Sequence, residues 1–183
     1  MLTPYDVAVC AAQEAGKVLA RYFHEGFEVR NKGVADLVTD ADVAAERRIA
    51  EIIRGAFPDH AILGEEENSG DVTAEHLWVI DPLDGTTNFA HHIPHFAVSI
   101  AYLHHGVAQC GVVWKPIRED LYIARRGLGS THNGKAIHVG SQKQMSESLI
   151  GIGFYYDRGA MMEATLAAIG ACFRRQIHGV RRF

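Results

Sequence analysis

Two aspartates, Asp81 and Asp84, follow the apolar run Leu77–Ile80 in "WVIDPLDGTTNFAHHIPHF", residues 78 to 96, and an Asp84-Gly85 turn follows them. Pro82 is poorly tolerated inside a strand, so it is expected to end the buried run and to turn the backbone, which places both acids in a loop at a strand terminus. Upstream, "GEEEN" sets Glu65, Glu66 and Glu67 at the end of another short apolar run. Carboxylates gathered in one place repel each other unless protonated or neutralised, and hard oxygen donors of this kind suit magnesium or manganese. The Leu83 carbonyl can add a neutral ligand at the turn.

Downstream, Gly85 lets the backbone approach a ligand closely, and Thr86 or Thr87 can cap a short helix that Pro94 ends. The N–H groups at such a helix start attract phosphate. Metal-binding acids beside an anion-binding helix start are the parts of a phosphate-ester hydrolase, in which cations about 4 Å apart clamp the phosphoryl oxygens. Taken singly, each feature has a plainer reading. Asp-Pro and Asp-Gly make ordinary turns, Glu65 to Glu67 a solvated loop, Thr39 and Asp42 a helix cap, and Lys32 an exposed lysine. His91, His92 and His95 suggest zinc, but the neighbouring acids favour harder ions and no cysteine is close, which leaves these histidines surface or supporting roles. Phe89, Phe96 and Trp78 read as core. The combination is what carries the functional reading.

The elements that must position these groups follow from periodicity. Val7, Ala11, Val18, Leu19 and Tyr22 share one face of a first helix, with Gly26 after its end. A second helix starts at "TDAD", where Thr39 and Asp42 have capping-box spacing, and Pro58 stops it. The runs "AILG", "LWVI", "FAVSIAYL", "GVVW" and "LYIAR" read as strands, Asn133-Gly134 as a hairpin turn, Gly159 to Phe173 as a third helix and "IHGVRRF" as an extended stretch. Helices leading into a series of strands give an α+β layered domain, without the crossovers of a nucleotide-binding parallel sheet.

With 183 residues, 48% hydrophobic and 22% charged, the chain belongs to the globular class. A net charge of -4 gives no general basic surface for nucleic acid, and Arg174-Arg175 and Arg181-Arg182 read as solvated pairs. Cys10, Cys110 and Cys172 fit neither a disulfide framework nor a zinc knuckle. No leader and no membrane-spanning run is evident, so the expected setting is cytoplasmic and unanchored.

"DLVTDAD", "GEE" and "WVIDPLDGTTNF" occur in the order and approximate spacing of the inositol monophosphatase family, and the chain resembles these magnesium-dependent, lithium-sensitive phosphatases from its N-terminal helices to "GFYYDRG". The resemblance implies a layered helix/sheet sandwich shared with fructose-1,6-bisphosphatase, with an N-terminal metal- and phosphate-binding domain over residues 1–145 and the start of a second domain over 146–183. It implies that Glu65, Asp81, Asp84 and the Leu83 carbonyl hold two or three Mg2+ ions per complete site, with Mn2+ as a substitute. Gly85, Thr86 and Thr87 would hold phosphate, Glu65 and Thr86 would activate the nucleophilic water, Asp42 would orient Thr86, and Lys32 would be a supporting charge. Glu66 matches the second acid of the family's pair, a less clear ligand. The expected substrate is a small phosphate ester, an inositol monophosphate or related sugar phosphate. Histidinol phosphate, fructose 1,6-bisphosphate and nucleotide 3'-phosphates are the alternatives, and a non-catalytic scaffold with a binding role is a third reading. Neither nucleic acid nor membrane is an expected partner, and a homodimer is. The family continues to a Trp-Asp metal motif, whereas Trp78 is followed by Val79 and Trp114 by Lys115. The second half is therefore expected to be incomplete, and apolar surface to be left uncovered.

Overall fold

The computed structural model describes residues 2–33, 36–154 and 159–182; Tyr155 to Arg158 of "GFYYDRG" and the side chain of Lys32 lie outside the described residues. The chain divides into two compact units, Met1–Lys32 with Leu37–Ile137, and Gly33–Asp36 with His138–Phe183.

In the larger unit, α1 (Pro4–Glu25) starts at a capping box in which Thr3 and Asp6 bond each other's backbone N–H, and Pro4 supplies a preset first-turn φ. Its buried face is built from small residues, Ala8, Ala11, Ala12, Ala15 and Gly16, so neighbouring elements approach closely. A Cβ at Gly16 would collide with the Trp114 indole. Helix α2 (Asp40–Ala56) repeats the device with Thr39 and Asp42, as the spacing predicts, and stops at Phe57 before Pro58. Between the two helices lies a two-stranded pair, β1 (Val29–Gly33) and β2 (Asp36–Thr39), which the sequence reading did not separate from the loop.

Seven strands form one sheet in the order β3 (Ala61–Leu63), β4 (His76–Asp84), β5 (Ala97–His104), β6 (Val107–Lys115), β7 (Asp120–Arg125), β8 (Gly129–His132) and β9 (Lys135–Ile137). Pairing is antiparallel except for β3 with β4. Asn133 and Gly134, at φ 47° and 77°, make the predicted β8–β9 turn. Helix α1 packs against β5 and β6, and α2 against β4, which gives the expected α+β layering. Ile49 and Ile53 of α2 meet Trp78, Val98, Ile100 and Val112 of the sheet in one core, all essentially inaccessible. Each such side chain contributes roughly 1.5–3 kcal/mol by leaving water.

The smaller unit contains β10 (Leu149–Ile152), α4 (Ala160–Arg174) and β11 (Gly179–Arg182). Strands β10 and β11 pair in parallel, Leu149 opposite Gly179, with the helix between them in sequence. This is a strand–helix–strand crossover: the helix and the extended stretch "IHGVRRF" follow the sequence expectation, whereas β10, only four residues long, does not show in it. Helix α4 has no buried residue, and Leu149, Met161, Leu166 and Phe173 are exposed.

Candidate active site

Strand β4 does not end at Pro82. It pairs with β5 through Asp81 opposite Ser99 and resumes with Asp84 opposite Ala97, so three steps on one strand match two on the other. Pro82 and Leu83 form this bulge, where a residue without an N–H loses no ladder bond. The bulge re-aims the chain: Pro82 and Leu83 are both buried, while Asp81 is half-buried and Asp84 exposed. The Leu83 N–H donates to Asp81 Oδ1 at 3.1 Å and locks the turn.

Asp81 is pushed up to about 7, first by burial, then by the charges of Glu65 and Asp84, with a further side-chain hydrogen bond to Glu65. The expected acid cluster is thus assembled, with Asp81 the member that feels both others. A half-buried carboxylate crowded by two more is the environment a divalent cation relieves, and the donors, three carboxylates and the neighbouring Leu83 carbonyl, are all hard oxygens. The residues present fit Mg2+ or Mn2+.

Gly85 stands before α3 (Thr86–Ala90) in the left-handed region at φ 101° and ψ 34°, a conformation natural to glycine. A Cβ there would also lie 3.1 Å from the His95 carbonyl. The N-cap is therefore Gly85, with no side-chain capping bond, rather than Thr86 or Thr87; the helix ends at Ala90, four residues before Pro94, because Asn88 and Phe89 carbonyls close it onto His91. Thr86 is free for other work. Its hydroxyl lies 3.0 Å from Asp42 Oδ1 and 3.1 Å from the Leu83 carbonyl, and it donates to these acceptors. Asp42 is 1% exposed, and its other oxygen accepts from the Thr39 N–H at 2.8 Å and the Thr39 hydroxyl at 2.5 Å. Burial pushes the Asp42 carboxyl above its ordinary range, and the bonds from Thr39 and Thr86 oppose that. The residue that caps α2 is thus the one that grips Thr86. Thr87 follows it in the first turn of α3, half-buried.

The GEEEN loop is held by a residue that the sequence reading passed over. Glu46 on α2 is fully buried and accepts the N–H groups of Glu66 at 2.7 Å and of Glu67 and Asn68 at 2.8 Å, and the Asn68 side-chain amide at 2.8 Å. Burial acts to raise its pKa, but the bonds from Glu66, Glu67 and Asn68 outweigh it and hold the carboxyl below its ordinary value. Gly64 leaves room for it, since a Cβ there would collide with the Glu46 carboxylate. The signal was present: an acid at a position one turn from Asp42 and Ala50, inside the apolar stripe Ala41, Ala45, Ile49, Ile53. Glu67 is drawn away from the cluster by the fork of Arg47, Nε to Oε2 at 2.8 Å and Nη2 to Oε1 at 2.5 Å.

The other aromatic and histidine expectations are met as structure. Trp78, Phe89 and Phe96 are core. His91 and His92 are exposed, the latter against the rings of Phe23 and Phe27, and His95 is half-buried, its carbonyl accepting from Asn88. Cys10, Cys110 and Cys172 are free thiols. Among the described residues, no helix is long and apolar enough to cross a membrane.

The sequence and fold that carry this acid-lined bulge have counterparts among known proteins. The model of the inositol monophosphatase family matches residues 2–183. Inositol-1-monophosphatase of Rhizobium meliloti is 45% identical over 151 residues, 81% of this chain and 57% of that protein. The Nus factor SuhB of Pseudomonas aeruginosa is 44% identical over 155 residues, again 81% and 57%. The crystal structure of extragenic suppressor protein suhB from Bartonella henselae matches with a TM-score of 0.89 at 35% identity, covering 97% of this chain and 69% of that one. The chain belongs to the inositol monophosphatase family, and it spans 57% of the length of each of these two curated relatives.

Proposed function

We propose that the chain carries the metal- and phosphate-binding residues of a divalent-metal-dependent phosphomonoesterase acting on an inositol monophosphate or related sugar phosphate. The observation that carries this reading is the Asp81 cluster, whose Asp84 directly precedes Gly85, beside a Leu83 carbonyl that lies within hydrogen-bond reach of the Thr86 hydroxyl paired with Asp42. In the proposal Glu65, Asp81, Asp84 and the Leu83 carbonyl hold Mg2+, with Mn2+ as a substitute, which when bound would neutralise phosphoryl charge and acidify water. Gly85 and the first N–H groups of α3 at Thr86 and Thr87 receive the phosphate oxygens. Asp42 accepts the Thr86 hydroxyl hydrogen, which turns the Thr86 oxygen lone pairs toward the attacking water, and Glu65 takes that water's proton. Water adds to phosphorus in line, the phosphorus–alcohol bond breaks, and the alkoxide takes a proton from a solvent water to leave as the free alcohol, while Glu65 returns its proton to solvent. Lys32 keeps the part of a supporting charge. A homodimer belongs to the same proposal.

Sequence identity does not separate this reading from a second, since the relatives at 45% and 44% bear the names inositol-1-monophosphatase and Nus factor. In that second reading the scaffold serves as a Nus factor without turnover. Phosphate release from inositol 1-phosphate, histidinol phosphate, fructose 1,6-bisphosphate and a nucleotide 3'-phosphate, with and without Mg2+, decides between them. The phosphatase reading expects release that requires Mg2+ and disappears in Asp84→Asn. A folded, Mg2+-binding chain silent on every ester would overturn it in favour of the second.

A further inference from the structure

At the opposite end of β4 from the acids stands a second cluster, which the phosphatase reading does not use. Glu75 precedes the strand, His76 opens it, and His104 closes β5 directly across from His76. His105 begins the turn into β6, and its N–H donates to the Glu75 carbonyl at 2.7 Å. Five steps along β4 separate His76 from Asp81, about 17 Å at strand rise, so the two clusters do not share ligands.

A single oxygen, Glu75 Oε1, lies 3.2 Å from His104 Nε2, 3.4 Å from His105 Nε2 and 3.7 Å from His76 Nε2. Donor atoms of Glu75, His76 and His104 all lie within 4.8 Å of one another, the one such group of three found among the described residues. Two of the three contacts exceed ordinary hydrogen-bond length. The Glu75 contacts to His104 and His76, at 3.2 and 3.7 Å, bracket the separation of about 3.4 Å that donors at about 2.0–2.1 Å take around a tetrahedral ion, and His105 falls outside the group of three.

The rings are also held in advance. His76 Nδ1 lies 2.7 Å from the Tyr102 hydroxyl, so its other nitrogen is the one turned to Glu75. Its ring stacks between His60, at 4.4 Å and 14°, and His104, at 4.8 Å and 13°. The column continues to Phe57, which stacks on His60 at 4.6 Å, while His60 Nδ1 accepts from the buried Trp78 indole at 3.0 Å. A fixed partner on the second ring nitrogen and a rigid strand beneath are what an imidazole ligand requires. The side chains are 37–66% exposed, so an ion reaches them from solvent.

We propose that Glu75, His76 and His104 form a zinc site. Two imidazoles and one carboxylate suit Zn2+ better than Mg2+. The ion would tie the end of β5 to the start of β4 and take its fourth ligand from solvent.

The test is a zinc titration of the chelator-stripped 183-residue chain against a chromophoric chelator, in excess Mg2+ to occupy harder sites. Wild type and Asp84→Asn are expected to bind one Zn2+ per chain with equal affinity. His104→Ala and Glu75→Gln should each bind it more than about tenfold more weakly. The Glu75 side chain is 59% exposed and precedes the strand, so glutamine there leaves the core untouched and keeps the test valid should His104→Ala not fold. Zinc should raise the Tm of wild type and not that of Glu75→Gln, and Co2+ in its place should give the intense visible bands of tetrahedral coordination. No zinc binding by wild type, equal binding by Glu75→Gln, or loss of binding in Asp84→Asn would each overturn the assignment.

Discussion

The two ends of β4 present opposite chemistry on one backbone. At its start the pairing with β5 is regular, His76 stands across from His104, and ring stacking fixes nitrogen donors around one carboxylate. At its far end a bulge breaks the register, and three carboxylates crowd together. Regular pairing sets side chains at spacings that the pleat dictates, and that suffices for a clasp. A bulge frees the strand from that dictation and lets Asp81 and Asp84 feel each other's charge while Pro82 and Leu83 between them stay buried. Support differs too. The histidine end rests on aromatic rings, whereas the acid end rests on two buried carboxylates of α2, Asp42 and Glu46, that act only as acceptors for hydroxyl and N–H groups of the site.

The largest effect should come from removing a hard ligand. If the acid end is the reaction centre, Asp84→Asn lowers Mg2+-dependent phosphate release by at least about 100-fold, since several kcal/mol of charge stabilisation are lost. Steady-state assays across Mg2+ concentrations check this, and a loss below tenfold would break the contrast. Thr86→Ala should lower turnover by about 10–100-fold while Mg2+ affinity, measured by calorimetry, changes less than about twofold, because its hydroxyl orients and does not ligate. Parallel losses in both quantities would move Thr86 into a structural role.

Glu46→Gln should cost about 2–4 kcal/mol in denaturant unfolding, because an amide offers fewer acceptors to four donors and leaves buried N–H groups unmet. Its folded pKa lies below the unfolded value, so the stability it confers is present above about pH 4.5 and is lost as pH falls through the folded value. The wild type should therefore lose stability more steeply than Glu46→Gln on acidification below that point, and identical slopes would contradict the role. The smallest effect belongs to Arg47→Ala. Its forked pair with Glu67 is exposed, and surface pairs contribute under about 1 kcal/mol, so unfolding midpoints should barely move.

The sequence disclosed α1 and α2 because apolar periodicity is clear there, aided at α2 by the capping box, and it disclosed β3 to β7 because turn residues separate their apolar runs, while β8 and β9 show only through the Asn133-Gly134 turn. It also singled out Glu65, Asp81 and Asp84, which interact in the fold, through their combination after apolar runs, since Asp-Pro or Asp-Gly taken singly is an ordinary turn. Pro82 was misread as a strand end because a bulge and a terminus leave the same local trace, and only the partner strand tells them apart. Thr86 and Thr87 were misread as caps because Gly85, in the left-handed region, takes that position without a side chain. Glu46 was hidden because its partners are backbone groups about twenty residues away. The histidine cluster was hidden for a similar reason: Glu75 and His76 lie almost thirty residues from His104 and His105, and only the β4–β5 register joins them.

The central claim is that the acid end of β4 binds hard divalent ions through Asp81 and Asp84, independently of the histidine end. Electron paramagnetic resonance of Mn2+ titrated into the wild type and into Asp84→Asn tests it without requiring turnover. Bound Mn2+ in the wild type that is lost in Asp84→Asn, while one Zn2+ per chain is retained, is the predicted result; equal Mn2+ binding by the two proteins would contradict the account.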